Sequence, residues 1–141
     1  IHVDVKKLGN IPVGGGWRFV GRAAGNINRR ATPGTARSKH RDVLLGHAYV
    51  HTVVDDHSRV AYAETHDDET AATAVAVLRR AVGWFADRGF VVERVLSDNG
   101  RCARSQAWRE ACADLRVSHK RTRPYRPQTN DKIERLPRPR R

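Results

Sequence analysis

The sequence predicts an α/β domain: a mixed sheet with helices on its faces. Three observations carry that prediction. The segments "IHVDVKKL" and "HAYVHTVVDDHSRVAYAETH" alternate apolar and polar side chains with period two, as half-buried strands do. After His66, helical patterns and short apolar runs take turns along the chain. Glycine, asparagine and acidic turn residues mark the boundaries between these pieces.

In the first segment Ile1, Val3 and Val5 share one face, and His2 and Asp4 the other. Residues 9–42 are rich in Gly, Asn, Arg and Pro and read as an exposed basic insertion loop. Within it "WRFVG" (Trp17–Gly21) is expected as a short hairpin arm. The three glycines 14–16 precede no Gly-Lys-Ser/Thr, so they do not form a phosphate-cradling loop. The second segment splits into two strands at Asp55-Asp56-His57-Ser58, whose acids suit turn hydrogen bonds with Ser58 and Arg59. "DDETAATAVAVLRRAVGWFADRG" is a helix capped near Thr70 and ended by Gly89. "FVVERVLSD" is a fourth strand ending at Asp98, "SQAWREACADL" a helix, and "RVSHKRT" a fifth, edge strand. The first three strands are expected as an antiparallel meander. Trp17, Trp84 and Trp108 are expected in the core or in helix packing.

The chain has 141 residues, enough for one core, with a formal charge of +12. That excess favours a polyanionic partner. No basic amphipathic helix with bulky apolar residues opposite is legible and no apolar run reaches bilayer length, so nucleic acid is expected and no membrane. Two cysteines, Cys102 and Cys112, make no disulfide framework, and a reducing cytoplasm is expected. No His or Cys pair has zinc-ligand spacing. The absence of Met, with Ile1 already inside an alternation, suggests a fragment or a displaced reading frame.

Three carboxylates stand out by position: Asp4 within the first strand, Asp98 at the end of the fourth, and Glu134 on a short last helix. If the first and fourth strands are neighbours, Asp4 and Asp98 converge, and a helix laid across them adds Glu134. Three gathered acids suit hard divalent cations, Mg²⁺ or Mn²⁺, and two such ions about 4 Å apart stabilise both oxygens of a phosphodiester displacement. Acids at strand ends also cap turns, which is the plainer alternative.

"HVDVKKL", "VHTVVDDHSRVAYAE", "RVLSDNG" and "HKRTRPYRPQTN-KIER" together resemble the integrase/transposase catalytic core, a DDE-type family with a ribonuclease-H-like fold. Within it the likeness is to bacterial insertion-sequence transposases of the IS481 type, and it runs from Ile1 to about Arg135. That pattern asks for an acid on the first strand, Ser-Asp-Asn-Gly, and a glutamate after 35 intervening residues, which Asp98 and Glu134 satisfy. The resemblance implies metal-dependent DNA strand cleavage and transfer with two Mg²⁺ or Mn²⁺ ions. Asp4, Asp98 and Glu134 would be the catalytic metal ligands, and Asn99 and Gly100 would shape the turn that presents Asp98. Lys120, Arg121, Arg123, Tyr125, Arg126, Gln128 and Lys132 would hold DNA. Transposon ends and target DNA would be the partners, bound by a homo-oligomer in the bacterial cytoplasm, at the nucleoid.

The domain expected is 1–136, with 137–141 a basic Pro/Arg tail. Three departures bear on activity. Asp131 replaces the usual glycine and puts a fourth carboxylate one turn before Glu134. "LPRPRR" stops the last helix after about six residues, some 9 Å. The resemblance further implies a helix-turn-helix region upstream in full-length relatives, which is expected to be lacking here. A truncated helix leaves two alternatives to the active core: an inactive remnant that only binds DNA non-specifically, and a generic ribonuclease H, against which "PQTN-KIER" argues.

Overall fold

The computed structural model describes residues 1–34, 36–40 and 43–122. In chain order the elements are β1 (His2–Gly9), α1 (Trp17–Val20), α2 (Arg22–Ala31), β2 (Ala36–Arg37), β3 (Val43–Leu44), β4 (His47–Val54) and β5 (Ala61–His66). Then come α3 (Ala71–Ala86), β6 (Arg94–Ser97), a 3-10 turn (Cys102–Arg104), α4 (Gln106–Asp114) and β7 (Ser118–Arg121). Among the described residues, 1–6 with 49–122 form one compact unit, and those of Lys7–Ala48 form a second.

The first unit carries a five-stranded sheet in the order β5-β4-β1-β6-β7. β4 and β5 pair antiparallel, whereas β1–β6 and β6–β7 pair parallel. This is the expected mixed sheet, and β7 is the expected edge. β1 is central, and both faces are covered at its start: His2 and Val3 are each buried. Helix α3 covers the sheet with Ala74, Val77, Leu78, Ala81 and Phe85, the spacing of one helical face. α4 adds Trp108, Ala111 and Cys112. Phe85 sits edge-on to Trp84 at 5.1 Å and to Phe90 at 5.8 Å.

Side chains and backbone close the ends of these helices. Thr70 Oγ1 accepts from Thr73 N, and Ser105 Oγ accepts from Trp108 N at 3.1 Å. Gly89 ends α3 with φ 80°, and Phe90 N then donates to Phe85 O. That bond turns Phe90 back onto the helix end, and the fourth main-sheet strand runs from Arg94 rather than from Phe90. The Asp55 turn is as expected: Asp55 Oδ2 accepts from Ser58 N at 2.7 Å, and Arg59 N donates to Asp55 O. The Ser58 bonds hold the Asp55 carboxyl below its ordinary range.

The second unit corrects the expected loop. Trp17–Val20 is helical, not a hairpin arm, and Gly21 (φ 82°) turns it directly into α2. Gly25 faces the Trp17 backbone so closely that a Cβ there would lie 2.6 Å from Trp17 Cα. Arg29 Nε and Nη2 both donate to Val43 O, at 3.0 and 2.7 Å, which ties α2 to the β2–β3 ribbon. Asn28 Nδ2 donates to Gly15 O. Trp17 is 55% exposed, contrary to the expected core position, because its backbone rather than its ring is what α2 packs against. Trp108 is buried, and Trp84 packs on Tyr62 and Phe85 as expected.

Candidate active site

β1 and β6 run parallel with His2 opposite Leu96 and Val3 opposite Ser97. Asp4 and Asp98 are each the next residue, on strands about 4.8 Å apart. Both line one open cleft of about 730 Å³ in the first unit. The register therefore brings together two of the three acids singled out in the sequence. Glu134 lies outside the described residues, as do Arg123, Tyr125, Arg126, Gln128, Asp131 and Lys132.

The turn after β6 is built around the Asp98 carboxylate. Gly100 N donates to Asp98 Oδ1 at 2.9 Å. A Cβ on residue 100 would lie 2.8 Å from that oxygen, so only glycine lets the amide approach this closely. Asn99 does something the sequence did not reveal: its Nδ2 donates to Thr122 O at 2.8 Å, pinning the chain where it leaves β7. Ser97 Oγ donates to Asp98 O and pairs with His119 Nε2 at 2.8 Å. His119 also stands edge-on to Trp108. Burial, then Arg121, pushes its pKa down.

The cleft wall holds further acids. Asp67, Asp68 and Glu69 line it from the start of α3, so its described lining counts five carboxylates against one guanidinium, Arg101. In the sequence these three acids read only as a helix cap, and Asp68 does cap: Oδ1 accepts from Thr70 N and Thr73 Oγ1. Those bonds, that from Thr73 foremost, lower the Asp68 pKa. Cys102 also lines the cleft and donates to Glu69 O; burial first, then the Glu69 charge, raises its thiol pKa.

Two carboxylates on adjacent strands in an acidic cleft fit Mg²⁺ or Mn²⁺, which are held by one or two carboxylates with water and substrate phosphate. Among the described residues no group of three or more His, Cys, Asp or Glu is arranged to hold a metal ion. Two histidines near the cleft wall are engaged within the fold. Buried His51 meets Asp68 O through Nε2 and stands edge-on to His66, which bonds Glu64. Lys120 and Arg121 are exposed on β7. Lys120 lines a second cleft with Asp55, Asp56 and Leu96, apart from the acid pair. Among the described residues no helix is long and apolar enough to cross a membrane.

Comparison with known proteins bears on the fold and the family. The chain is similar in fold to one in the cryo-EM structure of the simian T-cell lymphotropic virus intasome in complex with PP2A regulatory subunit B56 gamma. There the TM-score is 0.59 and the identity 27%, over 64% of this chain and 31% of that one. It also aligns with the HTLV-2 integrase catalytic core domain in complex with magnesium, with TM-score 0.49 and 22% identity over 64% of this chain and 57% of that one. It thus spans less than two thirds of either. No curated protein matches. The integrase core domain family matches residues 29–127, a span that includes Asp98 and excludes Asp4 and Glu134. Since that match covers well over half of the sequence, and the five-stranded sheet with its flanking helices has the ribonuclease-H-like arrangement, the chain belongs to the integrase core domain family.

Proposed function

We propose that the chain is a DDE-type polynucleotidyl transferase core, of the kind found in IS481-type insertion-sequence transposases, which cuts and joins DNA strands at the bacterial nucleoid. The observation that supports this most is the acid pair, Asp4 and Asp98, at matched positions on parallel neighbours in a cleft. A cleft with five carboxylates and one guanidinium repels a phosphodiester until cations neutralise it. Asp4 and Asp98 would hold Mg²⁺ or Mn²⁺, Glu134 would complete a two-ion site, and the domain would extend over 1–136. When bound, the ions supply Lewis-acid activation of the phosphodiester and of the attacking oxygen.

The chain's own residues set the geometry. Gly100 N fixes the Asp98 carboxylate through Oδ1, and Oδ2 takes no hydrogen bond among the described residues. Ser97 and His119 steady the backbone at Asp98. Asn99 anchors the start of the segment that carries Arg123, Tyr125, Arg126, Gln128 and Lys132, which with Lys120 and Arg121 would hold the ends and target DNA in a homo-oligomer.

The test is strand transfer. The full chain is incubated with Mn²⁺, a short duplex bearing a free 3′-hydroxyl, and supercoiled plasmid. Joined products that vanish in Asp4→Ala and in Asp98→Ala support the proposal. Products that survive either substitution refute the site, and DNA binding without any joining favours an inactive DNA-binding remnant instead.

A further inference from the structure

The chain's positive charge is not where its acid pair is. Residues 1–6 and 49–122 contain twelve Lys and Arg against twelve Asp and Glu, a balanced unit. Lys7–Ala48 contains eight Lys and Arg against one Asp, and residues 123–141 hold seven against two. The second unit alone therefore carries seven of the twelve excess charges. Exposed apolar side chains concentrate in it too. Of the nine large hydrophobic residues exposed among the described residues, only Val91 lies outside Lys7–Ala48. Phe19 is 89% exposed, on the four-residue helix α1 with Arg18 before it and Arg22 shortly after.

We propose that this insertion is a DNA-binding module in its own right, with the α1–α2 hairpin presenting Phe19 as a base-stacking wedge flanked by phosphate-gripping Arg18, Arg22 and Arg30. The platform is built rather than loose. Gly25 lets the two helices meet at the Trp17 backbone, and Asn28 and Arg29 bond α2 to Gly15 O and Val43 O. Arg22 and Arg30 make no ion pair or hydrogen bond among the described residues, and Arg18 rests over the Trp17 ring at 5.3 Å. A surface that joins an aromatic wedge to unpaired guanidiniums matches what a kinked duplex offers: unstacked base faces between phosphates. A second copy is a poor occupant, since it would set this excess of positive charge against its equal. The module does not depend on the acid pair, so it is tested without divalent metal and in the Asp98→Asn background.

The experiment is fluorescence anisotropy of the full chain with a labelled short duplex DNA across a salt series. Replacing Arg18, Arg22 and Arg30 together by Gln is expected to flatten the slope of log affinity against log salt by about 0.9 per lost phosphate contact, two to three in all. Phe19→Ala is expected to weaken binding by at least about fivefold with the slope unchanged. Hydrogen exchange of the wild-type chain, which requires no variant to fold, is expected to show DNA-dependent protection over residues 17–31. The proposal is overturned if that protection is absent, or if the triple variant keeps the wild-type affinity and slope. It is equally overturned if phosphatidylserine vesicles bind through these residues while DNA affinity is unmoved, or if Phe19→Ala dissolves an oligomer without changing DNA affinity.

Discussion

Gly100→Ala separates what the turn after β6 does for the fold from what it does for Asp98. The added Cβ would sit 2.8 Å from Asp98 Oδ1, 3.2 Å from Oδ2 and 3.4 Å from Cγ, so the carboxylate must retreat by about 0.6 Å to reach ordinary contact. The residue 100 backbone itself is not in the left-handed region, and alanine fits it. Asp98 is exposed and can swing aside. The fold then loses one exposed hydrogen bond, worth about 1 kcal/mol, or roughly 3–5 °C in Tm for a domain of this size. A metal ligand displaced from its supporting amide typically loses about 10–100-fold in affinity or activity. Calorimetric titration with Mn²⁺ and the strand-transfer assay, run beside thermal unfolding, are expected to show the large functional loss with the small stability loss. Unchanged Mn²⁺ affinity would refute the idea that this carboxylate is a ligand. A collapse in Tm would show that Gly100 serves the fold.

Other substitutions probe the surrounding structure. Arg80 donates to both Glu64 oxygens and, with help from Tyr62 and His66, lowers the Glu64 pKa to about 2. A carboxylate depressed in the folded state stabilises it above about pH 4.5, and that stability drains away as pH falls towards 2. Because Arg80 is half-exposed, the effect is about 1 kcal/mol or less; Glu64→Gln is expected to flatten the acid limb of Tm against pH, and parallel curves would remove the pair from the account. His119 has the same sign by a different route. Burial depresses its pKa below 6.5, so the unfolded chain takes up the proton first and stability falls as pH drops below 6.5. His119→Gln is expected to weaken that dependence in equilibrium unfolding. Gly25→Ala forces the two helices of the second unit apart and is expected to cost about 1–3 kcal/mol there, read as lost hydrogen-exchange protection over residues 17–31. Phe85→Ala empties a fully buried site and is expected to lower stability by about 3–5 kcal/mol in denaturant unfolding.

The main-sheet strands and long helices were legible in the sequence because their signals are local. Period-two alternation marked β1, β4 and β5, and the cap near Thr70 and the stop at Gly89 marked α3, through bonds only a few residues long. The Asp55 turn and the singling out of Asp4 and Asp98 belong to the same class. The insertion was not legible. Gly21, Gly25 and the asparagines of α2 lower its helix propensity, and what makes the hairpin is tertiary: the Gly25–Trp17 approach and the Arg29 bonds to Val43 O.

The sequence by itself determined the order and type of the main-sheet strands and the two long helices of the first unit, and which acids end or interrupt them. Only the tertiary structure decided that β1 and β6 are parallel neighbours, which places Asp4 beside Asp98. It also decided that Asp67, Asp68 and Glu69 face the same cleft, that Asn99 anchors Thr122, and that the Trp17 ring stands in solvent. Pairing and packing join residues tens of positions apart, and no window short enough to show a period contains both partners.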